Sequence, residues 1–98
     1  MPDQTIHLIA RLVPKPGSEA ALAEAVAAIV PDVQAEPGCI AYVAHESLSA
    51  PGTIVFIEAW ADQAALDAHS TGPALATLAA RLGELLAEKP ALERLRRL

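Results

Sequence analysis

The sequence predicts an α+β fold of ferredoxin-like order, β-α-β-β-α-β: one four-stranded antiparallel sheet with helices on one face. Three observations carry that expectation. Apolar residues alternate with period two over residues 5–13, 39–47 and 53–61, and recur at helical spacing after residues 18 and 73. Proline and glycine clusters punctuate the boundaries between these stretches. The 98 residues suit a single domain, 1–98, and no linker divides them.

The first strand is expected over Thr5–Val13, with Ile6, Leu8, Ala10 and Leu12 on one face and His7, Ile9, Arg11 and Val13 on the other. Pro14-Lys15-Pro16-Gly17 ends it, because two prolines and a glycine cannot continue a ladder. Ser18 reads as an N-cap with Glu19 in the first turn. The helix that follows runs to about Ala35. Leu22, Ala25, Val26, Ile29, Val30 and Val33 form its core stripe, and Pro31 predicts a kink or break near Val30.

Glu36-Pro37-Gly38 makes a tight turn into a second strand, Cys39–Ser47, in which Ile40, Tyr42 and Ala44 alternate against Cys39, Ala41 and Val43. Ser49-Ala50-Pro51-Gly52 joins it to the third and most apolar strand, Thr53–Ala61. Asp62 caps a short helix ending near His69, and Ser70-Thr71-Gly72 breaks it. Pro73 opens another helix carrying Leu75, Leu78, Leu82, Leu85 and Leu86, which Lys89-Pro90 ends. Leu92–Leu98 closes the sheet as a weak strand.

Composition narrows the function classes. The chain is 53% hydrophobic and only 19% charged, more apolar surface than one small monomer readily hides. A membrane span needs about 20 consecutive apolar residues. The stretches Ile54–Ile57 and Ala25–Val30 are far shorter, and Met1-Pro2-Asp3-Gln4 lacks the features of a leader. Self-association is therefore the expected outlet. Leu8 and Leu12 against Ile9 and Val13, then Ile54, Phe56 and Trp60 against Val55 and Ile57, place apolar side chains on both faces of two strands. Helices cover one face; a second copy of the sheet, in a homodimer, covers the other.

The net charge of −5 offers no basic stripe for nucleic acid. Arg94, Arg96 and Arg97 read as a charged edge strand. A lone cysteine, Cys39, excludes an internal disulfide and points to the cytoplasm.

The residues that carry chemistry are few. His7, His45 and His69 are scattered without metal-ligand spacing, and no glycine-rich phosphate loop is present. Cys39 and His45 are expected on one strand face, about 20 Å apart, too far to act as a nucleophile and base. Cys39 is better read as a small core residue. Glu46 and Glu58 lie on neighbouring strands and suit solvated or contact roles. Glu58 and Trp60 share a face of the third strand, and Trp60 is the sole tryptophan. A large aromatic at a strand end suits a flat ligand pocket, or equally a core or dimer anchor. His69 can transfer a proton near neutral pH, or simply hydrogen-bond the helix end.

Glu36-Pro37-Gly38-Cys39 with Tyr42 three positions on, Pro51-Gly52, Glu58-Ala59-Trp60-Ala61-Asp62, Ala65-Leu66 and Ala68-His69 stand in an ordered set that resembles the antibiotic biosynthesis monooxygenase family, especially its quinol-monooxygenase-like branch. The resemblance implies a dimeric α+β barrel, with a pocket between sheet and helices in each subunit. It also implies oxidation of a small hydroxyaromatic or quinol by molecular oxygen, with no metal, flavin or other cofactor. Trp60, His69 and Tyr42 would then be catalytic, and Trp60, Phe56 and Glu58 would bind the substrate. Two alternatives stand beside it: a non-catalytic barrel that binds a small apolar ligand, and a haem-binding or haem-degrading protein with His69 or His7 as axial ligand. The chain contains no asparagine, which both the haem-degrading and the aromatic-polyketide-oxidising relatives use in their pocket.

Overall fold

The computed structural model describes residues 3–98. Met1 and Pro2, part of the start read above for a leader, lie outside them. The elements run β1 (Ile6–Leu12), α1 (Glu19–Gln34), β2 (Cys39–Glu46), β3 (Ile54–Trp60), α2 (Gln63–Ser70), α3 (Pro73–Leu85) and β4 (Ala91–Leu95). This is the ferredoxin-like order, with its second helical connection divided at Gly72. The strands form one antiparallel sheet in the order β2-β3-β1-β4. The two most apolar strands, β1 and β3, sit at its centre, where both edges are paired and both faces need burial.

The helices lie on one face. Leu22, Ala25, Val26, Ile29 and Val33 recur at helical spacing and are buried along α1. They meet Leu8, Ala10 and Leu12 of β1 and Ile54 and Phe56 of β3 in a single core, to which α3 adds Leu78 and Leu85. Fully burying a leucine-sized side chain stabilises by roughly 1.5–3 kcal/mol, so this stripe is the main reason the chain folds.

The opposite face has no helix over it. Ile9 pairs with Ile57 and Ile57 with Val43 across that face, and Ile57 is 52% exposed. Among the described residues no helix is long and apolar enough to cross a membrane.

Several expectations are corrected. The register of β2 slips between Cys39 and Ala41, so that Cys39 pairs with Trp60 and Ala41 with the adjacent Ala59. This bulge turns Ile40 outward, 60% exposed, and puts Cys39 against the core with Tyr42. Cys39 and His45 are therefore on opposite faces, because one extra residue inverts the period-two pattern.

Pro31 does not break α1, which continues to Gln34. The carbonyl that loses its donor belongs to Ala27, which like Pro31 is exposed. Ser18 occupies the N-cap without a side-chain bond; Glu19 instead accepts from the Gly17 amide. The last long helix ends at Leu85 rather than at Lys89-Pro90. Lys15 donates to the Leu85 carbonyl and Ala87 to that of Val13, so bonds to the first connection draw the chain out of the helix. The final strand is the shorter β4, with Arg94 inside it and Arg96 and Arg97 beyond it.

Candidate active site

Three local devices bring distant side chains together. The first is the turn after α1. Gly38 adopts φ +80°, a left-handed conformation that suits glycine. A side chain there would run into the Cβ of Ala65 on α2, so the missing Cβ also lets α2 approach. The Ala61 amide donates to the Gly38 carbonyl and the Cys39 amide to that of Glu36. Glu36 is thereby held beside α2.

The second device is the Asp62 cap, whose carboxylate accepts from the Ala65 amide at 2.9 Å and starts α2 directly after β3. Leu66 and His69, three residues apart, then face inward. The third is the strand period. It puts Phe56, Glu58 and Trp60 on the inner face of β3, with Tyr42 opposite Glu58 on β2.

The resulting cluster is dry. Trp60 is 0% exposed, Tyr42 2%, Glu58 3% and His69 4%. The Trp60 indole N–H donates to Glu58 Oε1 at 2.9 Å. The same oxygen is 3.9 Å from His69 Nε2, close enough for charge to be felt but too far for a hydrogen bond. On the other side of the ring, His69 Nδ1 lies 2.9 Å from Glu36 Oε1. Nδ1 thus faces the Glu36 carboxyl within hydrogen-bond distance, and Nε2 faces Glu58. His69 stacks on Trp60, with ring centres 4.4 Å apart and planes at 25°, and meets Tyr42 edge-on at 5.5 Å. Tyr42 stacks on Phe56 at 4.8 Å.

Burial shifts the protonation states. It pushes the Glu58 carboxyl up; the Trp60 bond and His69 oppose this, and Glu36 reinforces it. It pushes the Tyr42 phenol up as well, aided by Glu58, Glu36 and Cys39, so Tyr42 stays a neutral donor. The Cys39 thiol is raised by burial and then by Glu36 and Glu58, which keeps it out of the nucleophilic thiolate form.

All five residues named from the sequence, Tyr42, Phe56, Glu58, Trp60 and His69, thus lie in one cluster. Glu36 belongs to it too. Its partner His69 is 33 positions away, and no local period joins a turn residue to a helix residue at that separation. The other candidates stand apart. Glu46 pairs with Ile54 and accepts from the Gly52 amide, four residues along β3 from Glu58. His45 reaches only the Val55 carbonyl, at 3.3 Å, and His7 sits opposite Ala59. Among the described residues no three His, Cys, Asp or Glu groups gather as a metal site. The cluster can therefore hold a proton between two carboxylates and an imidazole, beside an aromatic wall.

A larger space opens nearby. A groove of about 690 Å³ runs between α1 and β2 and is bordered by Tyr42, but not by Phe56, Glu58, Trp60 or His69.

Comparison with known proteins places these features in context. Residues 5–81 match the family model described as antibiotic biosynthesis monooxygenase. The Mycobacterium tuberculosis protein Rv0793, which carries a provisional monooxygenase name, is 35% identical over 81 residues, covering 83% of this chain and 79% of its own. Its solved structure superposes with a TM-score of 0.90 at 33% identity, over 96% of this chain and 95% of that one. The Nitrosomonas europaea protein NE2512, described as of unknown function, gives 0.86 at 36% identity, over 98% and 92%. PA3566 of Pseudomonas aeruginosa gives 0.91 at 28% identity, over 100% and 98%.

Proposed function

Since the chain belongs to the antibiotic biosynthesis monooxygenase family, we propose that it oxidises a small hydroxyaromatic or quinol with molecular oxygen and no cofactor. The observation that carries this reading is the buried cluster of His69 between Glu36 and Glu58, walled by Trp60 and Tyr42. Proton-handling groups beside aromatic walls are what such a reaction asks of a protein.

The chemistry balances without a prosthetic group. A phenol with a free para carbon, or a quinol with a free ring carbon, takes up one O₂. One oxygen atom becomes the second carbonyl of the quinone from a phenol, or a ring hydroxyl on the quinone from a quinol, and the other leaves as water, so the substrate itself supplies all four electrons. The protein has to bind the ring, favour removal of the phenolic proton and keep bulk water out. In this reading Tyr42 donates to the substrate oxygen, the His69–Glu58 pair takes up the proton, and Glu36 keeps His69 in the tautomer that can receive it. Trp60, Phe56 and Glu58 shape the wall on the substrate side.

The reading includes a cytoplasmic homodimer. The uncovered sheet face with Ile9, Val43 and Ile57 supports the dimer, because an exposed face of this kind favours association. Axial ligation of haem has less support. The His69 ring stacks on Trp60 with its two nitrogens facing Glu36 and Glu58, and His7 lies on the open face of the sheet.

The test is oxygen uptake across a panel of quinols and naphthols, with quinone formation followed by absorbance. One O₂ should be consumed per quinone formed, and one labelled oxygen atom incorporated. Trp60→Phe and His69→Ala should lower turnover per folded dimer, and His69→Ala should also steepen its pH dependence. A folded wild-type protein that consumes no oxygen over the whole panel would refute the reading.

A further inference from the structure

The buried cluster has a dry interior and one wetter end. His69 and Glu58 expose 4% and 3% of their side chains, while Glu36 exposes 19%. A proton that moves to or from His69 therefore meets water most readily through Glu36.

Three observations put Glu36 on such a path. Its Oε1 is 2.9 Å from His69 Nδ1, close enough for a proton to pass directly. Its other oxygen faces outward: a Cβ on Gly72 would stand 3.8 Å from Oε2. Gly72 is the break between α2 and α3, and Thr71 and Pro73 on either side of it are exposed. Finally, the backbone beneath the side chain is pinned. The Glu36 amide donates to the Val33 carbonyl, and the Glu36 carbonyl accepts from the Cys39 amide. One carboxyl group thus spans the distance from a buried imidazole to the protein surface.

Orienting the ring does not by itself call for an acid. A backbone carbonyl fixes an imidazole as well. What a carboxyl group adds is the ability to take the proton and give it up again.

We infer that Glu36 is the proton port of the cluster, carrying protons between His69 and solvent at the α2–α3 break. It acts through His69 and does not touch the substrate. Its part in turnover rests on the function proposed above; the path itself does not. The port moves protons and no electrons. On the outward stroke the substrate O–H bond breaks, Nε2 takes that proton, Nδ1 passes its own to Glu36 Oε1, and Glu36 yields one to water. When the second oxygen atom leaves as water, the path runs in reverse. The protons then balance, and His69 regains its starting tautomer.

The experiment follows exchange of the His69 ring N–H with water by NMR, on isotope-labelled protein without substrate. Glu36→Gln keeps a hydrogen-bonding group beside Nδ1 that cannot carry a proton, and it should slow exchange by about tenfold or more. Loss of a merely structural contact would loosen the cluster and speed exchange instead. Glu36→Ala leaves a gap at the α2–α3 break. Formate should restore exchange in that variant in proportion to its concentration, and chloride should not. Exchange that is unchanged or faster in folded Glu36→Gln, or that formate leaves slow in folded Glu36→Ala, would overturn the inference. Oxygen uptake separates the two proposals. Glu36→Gln should lower kcat by about a hundredfold, the low end for a positioned acid or base, with KM little changed. Wild-type uptake that is undiminished in Glu36→Gln sinks the port and spares the monooxygenase reading. Slowed exchange in Glu36→Gln without uptake by wild type does the reverse.

Discussion

Replacing Trp60 by phenylalanine is expected to destabilise the fold by about 2–4 kcal/mol, and by more at higher pH. The indole N–H is the donor 2.9 Å from Glu58 Oε1. Leaving a buried acceptor without its partner costs about 1–3 kcal/mol. Trp60 is wholly buried, so the smaller ring also leaves a void, and a methyl-sized void costs on the order of 1 kcal/mol. The stack on His69 is largely kept, because phenylalanine still presents a six-membered ring.

The pH dependence follows from Glu58. Burial holds its folded-state carboxyl above the ordinary range, and the indole bond pulls it back. Without the indole it rises further. A carboxyl raised on folding binds its proton more tightly in the folded than in the unfolded state. Its contribution is then most favourable below the unfolded value and is lost as pH rises through the folded value. The penalty for Trp60→Phe should therefore be smaller at about pH 5 than at about pH 8, because a carboxyl raised further by the substitution loses more stability as pH rises. Urea denaturation at both pH values, at fixed protein concentration, measures it. Far-UV circular dichroism must be the signal, because the variant has no tryptophan. A penalty below about 1 kcal/mol, or one equal at the two pH values, would show that the indole–Glu58 bond does not govern this cluster.

Three further outcomes are expected. Wild-type protein should sediment as a dimer at micromolar concentration, with more than roughly 1,200 Å² buried; Ile57→Lys, in the middle of the uncovered face, should give a folded monomer, and a dimer of unchanged affinity would place the interface elsewhere. Cys39→Ala should cost about 1 kcal/mol in urea and leave turnover near wild type, because its thiol is half-buried and held protonated; loss of turnover there would count against the cluster as the site. Gly38→Ala should destabilise by about 1–3 kcal/mol through its positive φ and its collision with Ala65, and by displacing Glu36 should alter the His69 ring resonances in NMR.

The sequence alone determined the order of elements, because the evidence for it is local. Period two in residues 54–60, helical spacing from Leu22 to Val33, and the caps at Asp62 and Pro73 each act within a few residues. It also put Glu58 and Trp60 on one face, since no bulge intervenes between them. The pairing of the two apolar central strands left one sheet face without cover, as the two-sided pattern of Ile9 and Ile57 anticipated.

Tertiary structure decided the rest. The bulge at Cys39–Ala41 depends on how β2 meets Trp60, and it inverted the faces of Cys39 and Ile40. The end of α3 was set by amide–carbonyl bonds to the segment after β1, not by the proline four residues beyond Leu86. Glu36 joined His69 only when a glycine turn let α2 come close. The groove beside Tyr42 arises where alanines of one element face the free edge of another. Each of these depends on residues tens of positions apart meeting in space. A periodic pattern records which way a side chain faces along its own element, but not what stands opposite it.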